Sequence, residues 1–200
     1  MQHLSPEIQA KRRVKHAIHP VIHNRWSPRS MTGEEIPEED LLSLFEAARW
    51  APSSYNNQPW RFIYAKRNTP EWSRLFDLMI DFNQGWTKNA AVLVVAISKN
   101  TFDHNGKPCR THSYDTGAAW MSLALEGSSR GYVVHGMEGF DYERARQSLE
   151  IPEGYTVEAM AAIGKRAPKE KLPDDLQKRE EPSDRRPLEE IMMLGKFKSS

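Results

Sequence analysis

A single cysteine, Cys109, stands in 200 residues, which excludes an intramolecular disulfide and any zinc site built on cysteine pairs. Long apolar runs are missing as well. The longest, Ala90 to Ile97, falls far short of the ~20 residues that a helix needs to cross a bilayer. The N-terminus sets Pro6, Glu7 and Gln9 ahead of Lys11-Arg12-Arg13 and lacks the apolar core of a secretory signal. Neither sign of charge is in excess: 28 Lys and Arg stand against 27 Asp and Glu, a net charge of +1. That balance speaks against a whole-molecule nucleic-acid binder. There is no internal repeat and no glycine-rich strand-to-helix turn of the dinucleotide-binding type, so a doubly wound fold is not indicated. The expectation is one domain over 1–200, soluble and cytoplasmic, with no membrane or nucleic-acid partner and enough chain to bury a core.

What is present is an irregular interleaving of helix-like and strand-like segments. An N-terminal arm (1–20) holds a possible short basic helix from Glu7 to Ala17. Pro37 opens a helix whose first turn, Glu38-Glu39-Asp40, complements the positive dipole end. Leu41, Leu42, Phe45 and Ala48 give that helix one apolar face. A strand over Arg61–Lys66, a second helix over Trp72–Asp81 and a fully apolar central strand over Ala91–Ile97 follow. Asn105-Gly106 and Pro108 mark a turn. The Tyr114–Arg130 helix is rich in small residues and apolar round most of its circumference. Burial on several sides in so short a chain suggests a subunit interface. Strands over Tyr132–Met137 and Val157–Ile163 enclose a helix over Tyr142–Leu149. Past Ala167 the chain turns to proline and charge, a tail expected to fray or to wrap a partner. An antiparallel sheet flanked by helices fits this order best.

Five stretches could carry chemistry. Ala51-Pro52-Ser53-Ser54-Tyr55-Asn56-Asn57-Gln58-Pro59-Trp60 offers donors and acceptors suited to the edge of a planar heterocycle, held between two prolines. An ordinary capped turn before an edge strand would explain it as well. Arg25-Trp26-Ser27-Pro28-Arg29-Ser30 places two guanidiniums around a hydroxyl, a cradle for a phosphate monoester, although loop arginines are more often simply solvated. Arg185-Arg186 is a second such pair. Asn83 after Phe82 reads as a helix cap or a ligand amide. Gly136-Met137-Glu138-Gly139-Phe140 allows a close backbone approach or is a plain turn. Cys109 has no catalytic partner in the sequence. The histidines at 16, 19, 23, 104 and 112 lack the spaced carboxylate or cysteine ligands of a metal site. The basic stretch from Lys11 to Arg29 lacks the interleaved aromatics of a nucleic-acid stacking platform.

In order, these motifs resemble the nitroreductase family of flavin mononucleotide (FMN) enzymes, over about Asn24 to Leu194. Arg25, Ser27 and Arg29 match its N-terminal Arg-x-Ser-x-Arg/Lys. Pro52, Ser53, Ser54, Asn56, Gln58, Pro59 and Trp60 match its Pro-Ser-Ser-x-Asn-x-Gln-Pro-Trp loop at every fixed position. Phe82-Asn83, Glu138-Gly139-Phe140 and Arg185-Arg186-Pro187-Leu188 match its later motifs. The resemblance implies an α+β fold, a mainly antiparallel sheet flanked by helices, with the C-terminal segment (167–200) exchanged between protomers of a homodimer. It implies that Arg25, Ser27 and one or both of Arg185 and Arg186 hold the FMN phosphate. Arg29 and Asn83 would face the pyrimidine edge, and the backbone of Glu138 and Gly139 would lie near flavin N5. Pro52, Ser53, Ser54 and Asn56 would reach the flavin from the other subunit. Trp26, Gln58 and Met137, within or beside the same motifs, join the cofactor-binding set.

The implied activity is hydride transfer from NAD(P)H through flavin N5 to a nitroaromatic, quinone or similar small acceptor, with no protein nucleophile and no metal. Reductive dehalogenation and flavin fragmentation are alternatives on the same scaffold; a nucleic-acid module using the basic arm is a remote one. Three departures stand out: Met31 where many relatives carry an aromatic residue, Asp184 near an often basic position, and a short stretch from Lys99 to Ser113 where larger members cover the substrate.

Overall fold

The apolar run before Lys99 has no polar position because both of its faces are covered. In the computed structural model, which describes residues 3–198, strand β2 (Val92–Lys99) pairs antiparallel with β1 (Trp60–Lys66) and β4 (Tyr155–Lys165). Strand β3 (Tyr132–Met137) pairs antiparallel with β4, giving a four-stranded sheet in the order β1-β2-β4-β3. Successive strand side chains point to opposite faces. Leu93, Val95 and Ile97 enter a core with Leu75, Trp86, Met137 and Met160. Val92 and Val94 enter a second core with Leu41, Leu44, Leu123 and Val134. The α+β class read from the sequence is the fold observed.

Helices α3 (Glu38–Arg49) and α6 (His112–Ser129) cover the second core. The packing of α6 on the sheet needs a bare backbone: a Cβ on Gly127 would fall 2.5 Å from Val134 Cγ2 on β3. The other face carries α4 (Glu71–Phe76), α5 (Asp81–Thr87) and α7 (Tyr142–Ser148).

Several expectations need correction. The N-terminal helix α1 spans only Pro6–Lys11, and a separate α2 covers Pro20–Asn24. The chain leaves α1 at Arg12, whose backbone is extended (φ −115°, ψ 131°) while its side chain turns inward. On α3 the buried residues are Leu41, Leu44 and Ala48, and Leu42 is 56% exposed. The single helix expected over Trp72–Asp81 stops at Phe76. Met79 bridges to Phe140 and the Ile80 N–H donates to Gly139, so these residues run extended before α5 begins. Asn83 therefore lies inside a new helix rather than at the end of an old one.

Within this chain α6 buries one face, with Ala119, Leu123, Ala124 and Gly127 inward, while Tyr114 is 81% exposed. The first half of the tail is no loose end. Leu172 and Leu176, the latter in α8 (Asp174–Gln177), enter the first core, and Glu180 is buried. Beyond it, α9 (Leu188–Ile191) is followed by exposed Met192, Leu194 and Phe197. Among the described residues the tail adds no strand to the sheet and contacts the N-terminal arm of its own chain: Glu181 pairs with Lys11 and Glu189 with Lys15, each at 2.8 Å.

Candidate functional site

Three guanidiniums far apart in the chain meet beside α2. Arg25 ends that helix, Arg185 arrives on the tail, and Arg12 comes from the arm. With Arg13, His23 and Met121 they line a cavity of 220 Å³. Burial and then the positive charge of Arg185 lower the pKa of Arg25. Burial, followed by Arg185 and Arg25, lowers that of Arg12 against a smaller opposing effect of Asp184. Clustered cations form a place where an anion binds well. His23 is 8% exposed and its Nε2 has no partner among the described residues. Ser27 Oγ accepts from Arg25 at 3.4 Å. Arg186 does not line this cavity, so Arg185 is the tail arginine that joins Arg25. Trp26 stacks under Arg166, with the guanidinium carbon 4.8 Å from the ring centroid.

The loop that follows is fixed from both sides. The Glu180 carboxylate accepts from the Arg29 N–H at 2.8 and 3.0 Å and from the Ser30 N–H at 2.9 Å. His135 on β3 donates from Nδ1 to the Pro28 carbonyl at 2.9 Å, and its ring packs against Trp86 with centroids 4.5 Å apart. Burial, aided by the positive charge of Arg29 and opposed by the bond to Pro28, holds His135 down at about 4. Arg29 Nε is buried without a partner among the described residues. Met31 is fully packed beneath Gly164 instead of flanking an open site.

At the end of β3 the chain makes its second close approach. Asn83 Nδ2 donates to the Gly139 carbonyl at 2.9 Å, and Trp86 Nε1 donates to Asn83 Oδ1 at 3.1 Å. A Cβ on Gly139 would lie 2.7 Å from Asn83 Nδ2 and 2.9 Å from Ile80 Cδ1. Any other residue there would displace the amide that the resemblance assigns to the ligand. Met137 and Glu138 line a cavity of 510 Å³ with Gly136, Thr116, Trp120 and Glu158. Thr116 Oγ1 and Trp120 Nε1, both on α6, are buried and unpartnered among the described residues.

The amide-rich loop stands elsewhere. Ser54 N–H donates to Asp115 at 3.0 Å, and Asn57, which is buried, bridges the Thr101 carbonyl at 3.2 Å and the Asp103 N–H at 2.8 Å. Gln58 N–H donates to Ser53 Oγ at 3.0 Å and its side chain to the Asn56 carbonyl at 3.1 Å. Tyr55, Asn56 and Gln58 hold positive φ of 53°, 51° and 48°, a strained shape that these anchors maintain. None of Pro52, Ser53, Ser54, Asn56 or Gln58 lines either cavity. Within one chain the structure thus joins Arg25, Ser27 and Arg185 in one group and Asn83, Met137, Glu138 and Gly139 in another, leaving the amide loop apart.

Sequence reasoning missed several residues here. Arg12, Glu180 and His135 are single polar residues whose partners lie far along the chain. A cluster of Ser98, His112, Ser113 and Glu158 escaped it too. Glu158 accepts from the hydroxyls of Ser98 and Ser113, and His112 Nδ1 lies 2.7 Å from Ser98 Oγ. The basic arm is also less free than its composition suggests, since Arg12 is buried and Lys11 and Lys15 are paired with the tail.

A family model described as "Nitroreductase family" matches residues 22–84. A solved structure described as an oxidoreductase containing FMN superposes with a TM-score of 0.91 at 45% identity, covering 94% of this chain and 97% of that one. Protein DrgA of Synechocystis sp. is 26% identical over 66% of this chain and 75% of its own length. The putative NAD(P)H nitroreductase YdgI of Bacillus subtilis is 25% identical over 66% of this chain and 80% of its own. No helix of the described residues is long and apolar enough to cross a membrane.

Proposed function

This chain belongs to the nitroreductase family, and on that footing we propose that it is an FMN-dependent NAD(P)H oxidoreductase working as a homodimer on a small acceptor. The carrying observation is the meeting of Arg25 and Arg185, 160 residues apart in sequence, at one cavity with a buried, unpartnered imidazole nitrogen. The residues present suit FMN. Clustered guanidiniums suit a phosphate. The unpartnered Thr116 Oγ1 and Trp120 Nε1, which line the 510 Å³ cavity, are buried polar groups of the kind a polar ring system satisfies.

When bound, FMN supplies the redox chemistry, taking hydride from NAD(P)H and delivering reducing equivalents to an acceptor such as a nitroaromatic or a quinone. The chain's own groups bind and orient. Arg25, Ser27 and Arg185 hold the phosphate end. Asn83, fixed by Gly139 and Trp86, presents its amide with Arg29 to the polar ring edge, and the Arg29 guanidinium favours negative charge developing there. Met137, Glu138 and Gly139 bring backbone against the ring. Pro52, Ser53, Ser54, Asn56 and Gln58, which line neither cavity of their own chain, serve the site of a second copy. The exposed Tyr55 beside that loop and the half-exposed face of α6 support such a pairing.

The purified protein is expected to be yellow and to sediment as a dimer, with its flavin absorbance bleaching on anaerobic addition of NADH or NADPH. A folded protein that remains colourless in excess FMN would overturn the proposal. Product analysis with nitroaromatic and quinone acceptors separates the leading reaction from dehalogenation and flavin breakdown.

A further inference from the structure

Arg12 lies outside the five stretches that carry the family resemblance, yet three separate segments depend on it. Its Nη1 donates to the carbonyls of His23 and Arg25, both at 2.8 Å, and its Nε donates to the Ser183 carbonyl at 2.9 Å. The side chain is 9% exposed. One guanidinium thus ties the N-terminal arm to the end of α2 and to the tail two residues before Arg185. Its planar fork suits divergent carbonyls in a way an ammonium does not. Arg185 in turn bonds the Ser183 carbonyl at 3.2 Å, so both arginines share that anchor.

The arrangement works against charge repulsion. The positive charge of Arg185 disfavours the charged forms of Arg12 and Arg25, and that of Arg25 disfavours Arg12 further. Asp184 is the acidic residue lining their cavity. Without a clamp, Arg185 on its exposed tail would drift away from Arg25. With the clamp, two guanidiniums and the unpartnered Nε2 of buried His23 converge on one space.

We propose that Arg12 is a positioning residue for a phosphate-ester site: by bonding the His23, Arg25 and Ser183 carbonyls it holds Arg25 and Arg185 together, so that the N-terminal arm sets the affinity for the phosphate of the flavin. This rests on the FMN reading. It makes Arg12 a determinant of FMN over riboflavin, which carries no phosphate.

The test is fluorescence titration of the deflavinated full-length chain with FMN and with riboflavin, for the unaltered protein, Arg12→Ala, Arg12→Lys and Arg25→Ala. Arg12→Ala is expected to weaken FMN by about 10- to 100-fold, the equivalent of losing one or two charge-assisted contacts, and riboflavin by no more than about twofold. Arg12→Lys keeps the charge without the fork and is expected to discriminate in the same direction, with a melting temperature closer to that of the unaltered protein. Inorganic phosphate should compete with FMN in the unaltered protein and lose that effect in Arg12→Ala. Equal losses for both flavins would overturn the inference, because Arg12 would then be only a structural support. Discrimination by Arg25→Ala but by neither Arg12 variant would overturn the clamp and leave the FMN reading standing. If Arg25→Ala also fails to discriminate, the phosphate end of that reading falls together with the clamp.

Discussion

Replacing Glu180 with alanine is expected to lower folding stability by about 3 kcal/mol and to strip the protein of bound flavin. The carboxylate is 5% exposed and accepts the backbone N–H groups of Arg29 and Ser30. Hydrogen bonds to a charged group contribute about 1.5–3 kcal/mol each, and a buried donor left without a partner costs a similar amount. A cavity where the carboxylate stood adds to the loss. In a chain of this size that corresponds to a fall of roughly 6–12 °C in melting temperature. The effect on flavin follows from position, since the same N–H groups fix the segment that bears Arg29. FMN and riboflavin should both weaken, because Arg29 is assigned to the ring edge and not to the phosphate. This pattern is distinct from that of Arg12→Ala. Glu180→Gln keeps one carbonyl oxygen but turns an NH2 group toward donors, so it is expected to recover only part of the loss. Scanning calorimetry with the two flavin titrations checks the result; a melting temperature within about 2 °C of the unaltered protein, well under the expected fall, would show that the N–H groups find other partners.

Glu180 also shows why some of the site could be read from the sequence and some could not. Arg25, Ser27 and Arg29 sit within five residues, and the amide loop within ten, so their relative placement is set by the local chain and reads directly as a motif. The sheet was legible for a similar reason. An unbroken apolar strand between amphipathic segments states its own burial, and Val92–Lys99 is central as its pattern implies. Glu180 reaches Arg29 across 151 positions and Arg12 reaches Ser183 across 171. A lone charged residue carries no periodicity that points to a distant partner, and in a tail rich in charge it looks like solvated surface. The choice of Leu42 over Leu44 as inward-facing failed more simply. Both fit a helical repeat near Leu41 and Ala48, and packing against α6 selects Leu44. The break between α4 and α5 escaped because Met79 and Ile80 suit a helix face, whereas here they give up helical bonds to pair with Phe140 and Gly139. That exchange is what brings Asn83 to Gly139.

The corrected tail and arm alter the view of the site as a whole. The phosphate end is assembled from both ends of the chain, with Arg12 tying the arm to the tail that carries Arg185, whereas the ring end is built from elements on the sheet, with Asn83 and Gly139 as its fixings and Glu180 holding the segment that bears Arg29. Perturbing the N-terminal arm should therefore weaken phosphate recognition first. His135 sits between the two ends, touching Pro28 on one side and Trp86 on the other, and this makes the site sensitive to acid.

Between about pH 6.5 and pH 4 the protein is expected to lose about 3 kcal/mol of stability through His135 alone. Its pKa falls from an ordinary 6.5 to about 4 in the fold, chiefly through burial. In that interval the unfolded chain binds the proton and the folded chain does not, so stability declines as pH falls. Above pH 6.5 both states are neutral at this residue and below pH 4 both are charged, so its contribution is flat outside the window. At 1.36 kcal/mol per pKa unit the integrated change comes to about 3 kcal/mol. His135→Asn is the informative variant, because its amide can still donate to the Pro28 carbonyl while carrying no titratable group. Carboxylates titrate in both proteins, so the readout is the difference between their stability curves in denaturant at successive pH values. The unaltered protein should lead at pH 7, and that lead should shrink by about 3 kcal/mol by pH 4. Flavin release should follow the same difference, since a charged imidazole would push against Arg29 and Arg25 across Pro28. A gap between the two curves that stays constant with pH would mean that His135 protonates freely in the fold and that its burial does not hold the Arg25–Arg29 segment in place.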